Sequence, residues 1–265
     1  MSGVRVRVGV QLWPQHCTLD ALRAAWREAD AMGVDSLWVW DHFFPLTPPA
    51  DGAHFECWSL LAAMAADTSH ATIGSLVSSV SYRNPDLLAD IARTADHVSG
   101  GRVVLGVGAG WSERDHVEYG FPMGAPRERQ RRLADALPRI RARLDRLAPP
   151  PVPRTGAGGA STRLPILMGS GGERVGLRLV ARHADVWNWF GDPGAWAAKS
   201  RVLDEWCDRL ERPRGAIERS VLINDPGLAV RAEEYVEAGC THVILGLAAP
   251  FDMAPVRALR DRLRS

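Results

Sequence analysis

The stretch LPILMGSGGERVGLRLVARHADVWNW, Leu164 to Trp189, contains a strand, a helix and a second strand in succession. Leu164 to Met168 reads as a short buried strand and Gly169 to Gly172 as its terminating turn. Glu173 to His183 then reads as a helix, and Val186 to Trp189 as the next strand. Two strands joined through a helix lie parallel, with a right-handed crossover.

The same unit recurs in both directions. Upstream, the pattern predicts strands over Val4 to Leu12, Ser36 to Trp40, Thr72 to Ser79 and Val103 to Val107. The helices between them start near Leu19, Glu56 and Pro85, and a long one runs from Arg127 to Leu147. Downstream come a helix over Pro193 to Leu210, a strand over Arg219 to Ile223, a helix over Leu228 to Ala238, a strand over His242 to Leu245 and a helix over Met253 to Leu263. Eight βα units in 265 residues, about 33 residues each, predict an α/β chain closed into a single (β/α)8 TIM barrel. The alternative is a doubly wound sheet, split at the Pro/Gly-rich stretch 148–162, which is read as a linker or a flexible loop. The dinucleotide fingerprint GxGxxG is missing after the first strand, which argues against that alternative.

Composition narrows the function. Apolar residues make up 46% and charged residues 24%, and the formal net charge is +1. No broad positive field is available for nucleic acid or a membrane surface, so a small-molecule substrate is the expected partner. The four cysteines are scattered without a CxxC pair, and no signal-like stretch opens the chain, so a reduced, cytoplasmic setting is expected. The histidines show no metal-ligand spacing, and no metal is expected. Lys199 is the single lysine, so lysine chemistry has one weak candidate. Trp38, Trp40, Trp187 and Trp189 fall in strands, where indoles fill a core or line a flat pocket.

In a barrel the chemistry sits where strands run out into the βα loops. Strand two ends at Asp41 and His42, a carboxylate beside the side chain that titrates nearest neutrality. The pair suits proton transfer, or simply a hydrogen-bonded loop. Gly169 to Gly172 run into a helix with Arg174 beside them, an arrangement that cradles phosphate or makes a tight turn. Gly106, Gly108 and Gly110 would let a ligand approach the backbone. The arginines of the long helix read mainly as a solvated face, and the turn from Ser99 to Arg102 as structural.

Five strings, in order, carry a resemblance: GVDSLWVWDHFF (Gly33 to Phe44), FECWSLLAA (Phe55 to Ala63), YRNPDLLADIA (Tyr82 to Ala92), SGGRVVLGVGAGW (Ser99 to Trp111) and ADVWNWFG (Ala184 to Gly191). Together they resemble the luciferase-like monooxygenase superfamily, and within it the deazaflavin branch that uses coenzyme F420. The resemblance runs to about Arg219. It implies a barrel, commonly a homodimer, that binds the deazaflavin at the strand ends. Asp41 and Ser78 would contact the cofactor, Ala109, Gly110 and Arg114 would line its side, and Gly171, Gly172, Arg174 and Val175 would hold its phosphate. His42 would transfer the proton, oriented by Asp41. A bulge with a cis peptide between Ser75 and Leu76 would press Leu76 against one ring face.

The implied activity is hydride transfer between the deazaflavin and a small organic substrate. The alternatives are an FMN-dependent monooxygenase and a cofactor-binding protein without turnover. Trp111 stands where sugar-phosphate dehydrogenases of this branch carry a glutamate, which argues against that activity. The connections over Pro149 to Thr162 and Asn224 to Gly227 are short, which implies a reduced lid.

Overall fold

The computed structural model describes residues 5–156 and 159–264. Eight parallel strands close into a barrel: β1 (Arg7–Leu12), β2 (Ser36–Val39), β3 (Thr72–Ser75), β4 (Val103–Gly108), β5 (Ile166–Gly169), β6 (Val186–Trp189), β7 (Glu218–Ile223) and β8 (His242–Leu247). Each pairs with its neighbour in sequence, and β8 returns to β1 with Arg7 opposite His242. This is the single (β/α)8 barrel that the alternation predicted. Val4, the expected start of the first strand, lies outside the described residues.

The helices are α1 (Leu19–Ala31), α2 (Cys57–Asp67), α3 (Pro85–Ser99), α4 (Glu113–Glu118), α5 (Pro126–Leu144), α6 (Gly176–His183), α7 (Pro193–Arg209), α8 (Pro226–Ala229), α9 (Ala232–Glu237) and α10 (Ala254–Arg264). Local chemistry sets their starts. Glu56 caps α2 by accepting from the Trp58 and Ser59 N–H groups, and Asn84 caps α3 ahead of Pro85. Helix α3 stops at Gly100 and Gly101, both at positive φ, which glycine adopts without a Cβ penalty.

Three elements differ from the sequence reading. Strand β3 breaks after Ser75 and resumes only at Ser78–Ser79, with a cis peptide at Leu76–Val77, one residue later than expected. The predicted helix over Leu228 to Ala238 is two short helices, α8 and α9. Within the Pro/Gly-rich stretch, Arg154–Gly156 pairs antiparallel with Gly159–Ser161, and Arg154 and the Val152 N–H both bond Asp96. Residues 157 and 158 lie outside the described residues.

The barrel interior is filled, so it is a core rather than a pore. Trp38, Leu76, Val104, Leu167, Val186 and Ile244 pack inside it, and the larger outer core lies between strands and helices. At the bottom, the Ser36 hydroxyl meets both Trp38 Nε1 and His242 Nε2 at 2.7 Å. Below it Arg102, from the Ser99–Arg102 turn, donates to the carbonyls of Ala65, Thr68, Ala71 and Ser99. With the lower end of the barrel interior plugged, the interior opens into a cavity at the C-terminal end of the strands.

Candidate active site

The cavity has a volume of about 340 Å³, within the range of small-molecule sites. Its floor is the broken end of β3, Leu76 and Val77, held by Gln11, whose Nε2 donates to the Leu76 carbonyl at 2.9 Å. Of the four strand tryptophans, Trp38 and Trp187 are buried in the core, whereas Trp40 and Trp189 line the cavity. Trp40 is braced by Trp13, at 5.4 Å between ring centroids, and by His54 Nε2, which accepts from its indole N–H at 2.9 Å.

His42 leaves the end of β2 and is 8% exposed. Its Nδ1 lies 2.5 Å from Asp115 Oδ2, so that nitrogen carries the proton and donates it to the carboxylate. Nε2, which has no hydrogen-bond partner among the described residues, belongs to a ring that lines the cavity. Asp115 also accepts from the Phe43 N–H and the Tyr82 hydroxyl, both at 3.0 Å. Burial pushes the Asp115 carboxyl up, but the donors from His42 and Phe43 outweigh it and hold it below its ordinary value. Burial and the adjacent Asp115 raise the Tyr82 phenol, so Tyr82 stays a hydrogen-bond donor.

Asp115, not Asp41, therefore orients His42. Asp41 is 1% exposed and its carboxylate bonds the Arg83 guanidinium, which also holds Glu56. Burial raises Asp41 above the usual carboxylate range; Arg83 and the Ser78 hydroxyl pull against that, and Glu56 adds repulsion. Its Oδ1 is buried without a hydrogen-bond partner among the described residues, and Asp41 lines the cavity.

The remaining expected residues divide. Leu76, Gly110 and Gly171 line the cavity with Asp41 and His42. Ser78 does not: it is fully buried and accepts from Trp58 Nε1 at 3.0 Å, while its neighbour Ser79 faces the cavity. Ala109 packs against the outer core. Arg114 lies 4.1 Å over the Phe44 ring and bonds Ala50 and Asp51, which draws it away from the cavity wall. Gly172, Arg174 and Val175 are exposed beside the mouth and form the turn ahead of α6, which starts at Gly176 rather than Glu173. No backbone or side-chain acceptor takes the N–H groups of residues 171–175 among the described residues, and Arg174 enters no ion pair there. A Cβ at Gly172 would meet nothing nearer than 3.8 Å, whereas one at Gly171 would stand 2.2 Å from Trp189 Nε1. This turn has the free donors and space that an anion needs.

Asp115 was missed because α4 is only six residues long and lies in a loop. Its signal is SERD, Ser112 to Asp115, a helix-start pattern placing an acid three residues after a serine. The arginines of α5 are also less idle than a solvated face: Arg129 Nε donates to the Gly110 carbonyl at 2.9 Å, and Arg139 and Arg143 pair with Asp86 and Asp90.

A barrel with a buried histidine–carboxylate pair at its mouth and an open glycine turn opposite is the scaffold of a small-molecule enzyme. Residues 3–233 match the model of the luciferase-like monooxygenase family, and the chain belongs to that family. It is 30% identical over 200 residues to Uncharacterized protein Rv0953c of Mycobacterium tuberculosis, covering 72% of this chain and 68% of that one. It is 35% identical over 116 residues to the F420-dependent glucose-6-phosphate dehydrogenase of Amycolatopsis mediterranei, covering 43% of this chain and 34% of the relative. The fold is shared with an F420-dependent secondary alcohol dehydrogenase solved with an F420–acetone adduct (TM-score 0.81, 16% identity, 97% and 98% covered). It is also shared with an FMN complex of the oxygenating constituent of 3,6-diketocamphane monooxygenase from Pseudomonas putida (TM-score 0.73, 13% identity, 98% and 97% covered). Among the described residues no helix is long and apolar enough to cross a membrane, and no cluster suits a metal ion.

Proposed function

We propose that the protein is a coenzyme F420-dependent oxidoreductase acting on a small organic substrate. The observation that carries this reading is the His42–Asp115 pair, whose imidazole lines a cavity floored by Leu76 and Val77. The sequence similarity to an F420-dependent dehydrogenase supports the choice of cofactor.

The residues present fit such a group. The unpaired amides of Gly171 to Val175 and the free Arg174 would hold its phosphate, the Leu76–Val77 floor would back one face of the ring, and Asp41 Oδ1 offers an acceptor to a ring N–H. Bound there, the deazaflavin would supply a hydride donor and acceptor at ring carbon C5. His42 Nε2 takes the proton of a substrate hydroxyl, or returns it. Asp115 keeps the proton on Nδ1 and stabilises the imidazolium formed in between. Trp40 and Trp189 wall the cavity and exclude water, which strengthens these interactions.

Titration of cofactor-free protein with F420 and with FMN, followed by cofactor fluorescence, tests the reading. Micromolar F420 binding, with FMN at least tenfold weaker, is the expected result. Tight FMN binding with oxygen consumption would instead favour the monooxygenase, and bound F420 that no substrate panel reduces or oxidises would leave a carrier without turnover.

A further inference from the structure

The charges around the mouth restrict what can enter it. Among the described residues no lysine or arginine lines the cavity. Apart from Arg174 on the glycine turn, the cations near its rim are committed elsewhere: Arg83 to Asp41 and Glu56, Arg114 to Asp51 and the Phe44 ring, Lys199 to Glu173 at 2.6 Å. The nearby charges on the β2 side are the carboxylates of Asp41 and Asp115. An anionic substrate would lose its hydration here and gain no partner. The one anion-accepting feature, the turn at Gly171 to Arg174, is taken by the cofactor's phosphate under the reading above.

The rim is apolar and unusually exposed. Trp111 is 64% exposed and sets its ring edge-on to His42, with centroids 5.4 Å apart. Phe190, 63% exposed, stacks on Trp189 across the mouth, and Leu46 is 37% exposed. Large side chains that pack against nothing on one side, placed around a cavity, are ready to cover an apolar guest.

We propose that the substrate is an uncharged, apolar carbonyl compound or the alcohol derived from it, and that Trp111 is the specificity-determining residue, closing over the guest and rejecting anions. This rests on the oxidoreductase reading for the reaction, and for the selectivity on an anion such as the cofactor's phosphate seated on the Gly171 to Arg174 turn. In the oxidation direction the carbinol C–H bond breaks and its hydrogen and electron pair pass as hydride to the oxidised deazaflavin. The hydroxyl proton passes to His42 Nε2, leaving the ketone, the reduced cofactor and an imidazolium.

The test uses two probes of one shape, acetophenone and 4-acetylbenzoate, whose dissociation constants are measured by ligand-observed saturation-transfer NMR on cofactor-free and F420-loaded protein. The expected result is tighter binding of acetophenone by at least about tenfold in the F420-loaded form, with a smaller gap in the cofactor-free form, where the Gly171 to Arg174 turn is open to the carboxylate. Trp111→Arg should bring the two constants together or reverse them, and Trp111→Ala should weaken acetophenone by about tenfold; the exposure of Trp111 means neither change removes core packing. Equal or tighter binding of 4-acetylbenzoate by the unaltered, F420-loaded protein, absence of acetophenone binding, or unchanged selectivity in Trp111→Arg would overturn the proposal. Failure to bind F420 would remove the oxidoreductase reading; the probe selectivity is then read with inorganic phosphate in place of the cofactor, where a gap of about tenfold would leave this proposal standing and its loss would overturn it.

Discussion

The two sides of the barrel mouth are built on opposite plans. On the side of β2 and β4, functional groups are buried and paired: His42 to Asp115, Asp115 to Tyr82 and Phe43, Asp41 to Arg83, Arg83 to Glu56. On the side of β5 to β7, the wall is glycine backbone with unused N–H groups, the aromatic pair Trp189–Phe190, and Leu222 and Asn224. Buried polar networks fix orientation because misplacing any member strands another. Open backbone fixes little and binds what arrives. The first side is suited to chemistry and the second to holding a ligand, so damage to them should separate into turnover and affinity.

The largest effect should come from His42→Ala. Loss of the proton-transferring group should lower kcat by about 10² to 10⁴, while F420 affinity, measured by fluorescence, changes less than about threefold. Unchanged turnover would take the histidine out of the mechanism. Asp115→Asn leaves a hydrogen-bond acceptor for Nδ1–H but removes the charge that stabilises the imidazolium. A fall in kcat of about 10- to 100-fold is expected, with a displaced pH–rate profile and little change in KM. Equal losses in kcat/KM for Asp41→Asn and Asp115→Asn, with unshifted profiles, would show that the contrast between the two acids is wrong.

The fold was legible because strand and helix periods alternate without a spare strand, and parallel crossovers leave few ways to arrange eight units. Leu164 to Trp189 alone sets that pattern. The paired side of the site was half legible. Asp41 and His42 are adjacent in sequence, which invites coupling them, but both lie past the end of β2 and each is bonded to a different group, Asp41 to Arg83 and His42 to Asp115. The true partner of His42 lies 73 positions on, in a helix too short to show a period. The open side was more legible, since a glycine run before a helix exposes its donors whatever the neighbours do. Which of Ser78 and Ser79 faces the cavity depends on the break in β3, and sequence carries no register for a bulge.

Affinity should be lost from the open side. Gly171→Ala places a methyl against the Trp189 indole, and Arg174→Ala removes a free cation; each should weaken F420 by about 3- to 10-fold without lowering kcat at saturation. The Arg174 effect should shrink in high salt because the group is exposed, whereas the Gly171 effect, being steric, should not. A kcat loss in either variant would merge the two sides.

The smallest effect concerns His54, which braces Trp40 on the paired side. Burial pulls its imidazole down to about 4, helped by the neighbouring His42 and His16 and opposed by Asp115. The unfolded chain therefore binds this proton more readily than the folded one, so the contribution of neutral His54 is complete above about pH 6.5 and is lost as pH falls toward 4. His54→Asn keeps an acceptor for the Trp40 indole but cannot titrate. Discounted for its partial exposure, the stability of the unaltered protein relative to that variant should fall by about 1 to 2 kcal/mol between pH 6.5 and 4, measured by urea unfolding. Parallel profiles would mean that His54 takes up its proton in place, by turning the orphaned Nδ1 toward water, and that the paired side yields more readily than its hydrogen bonds imply.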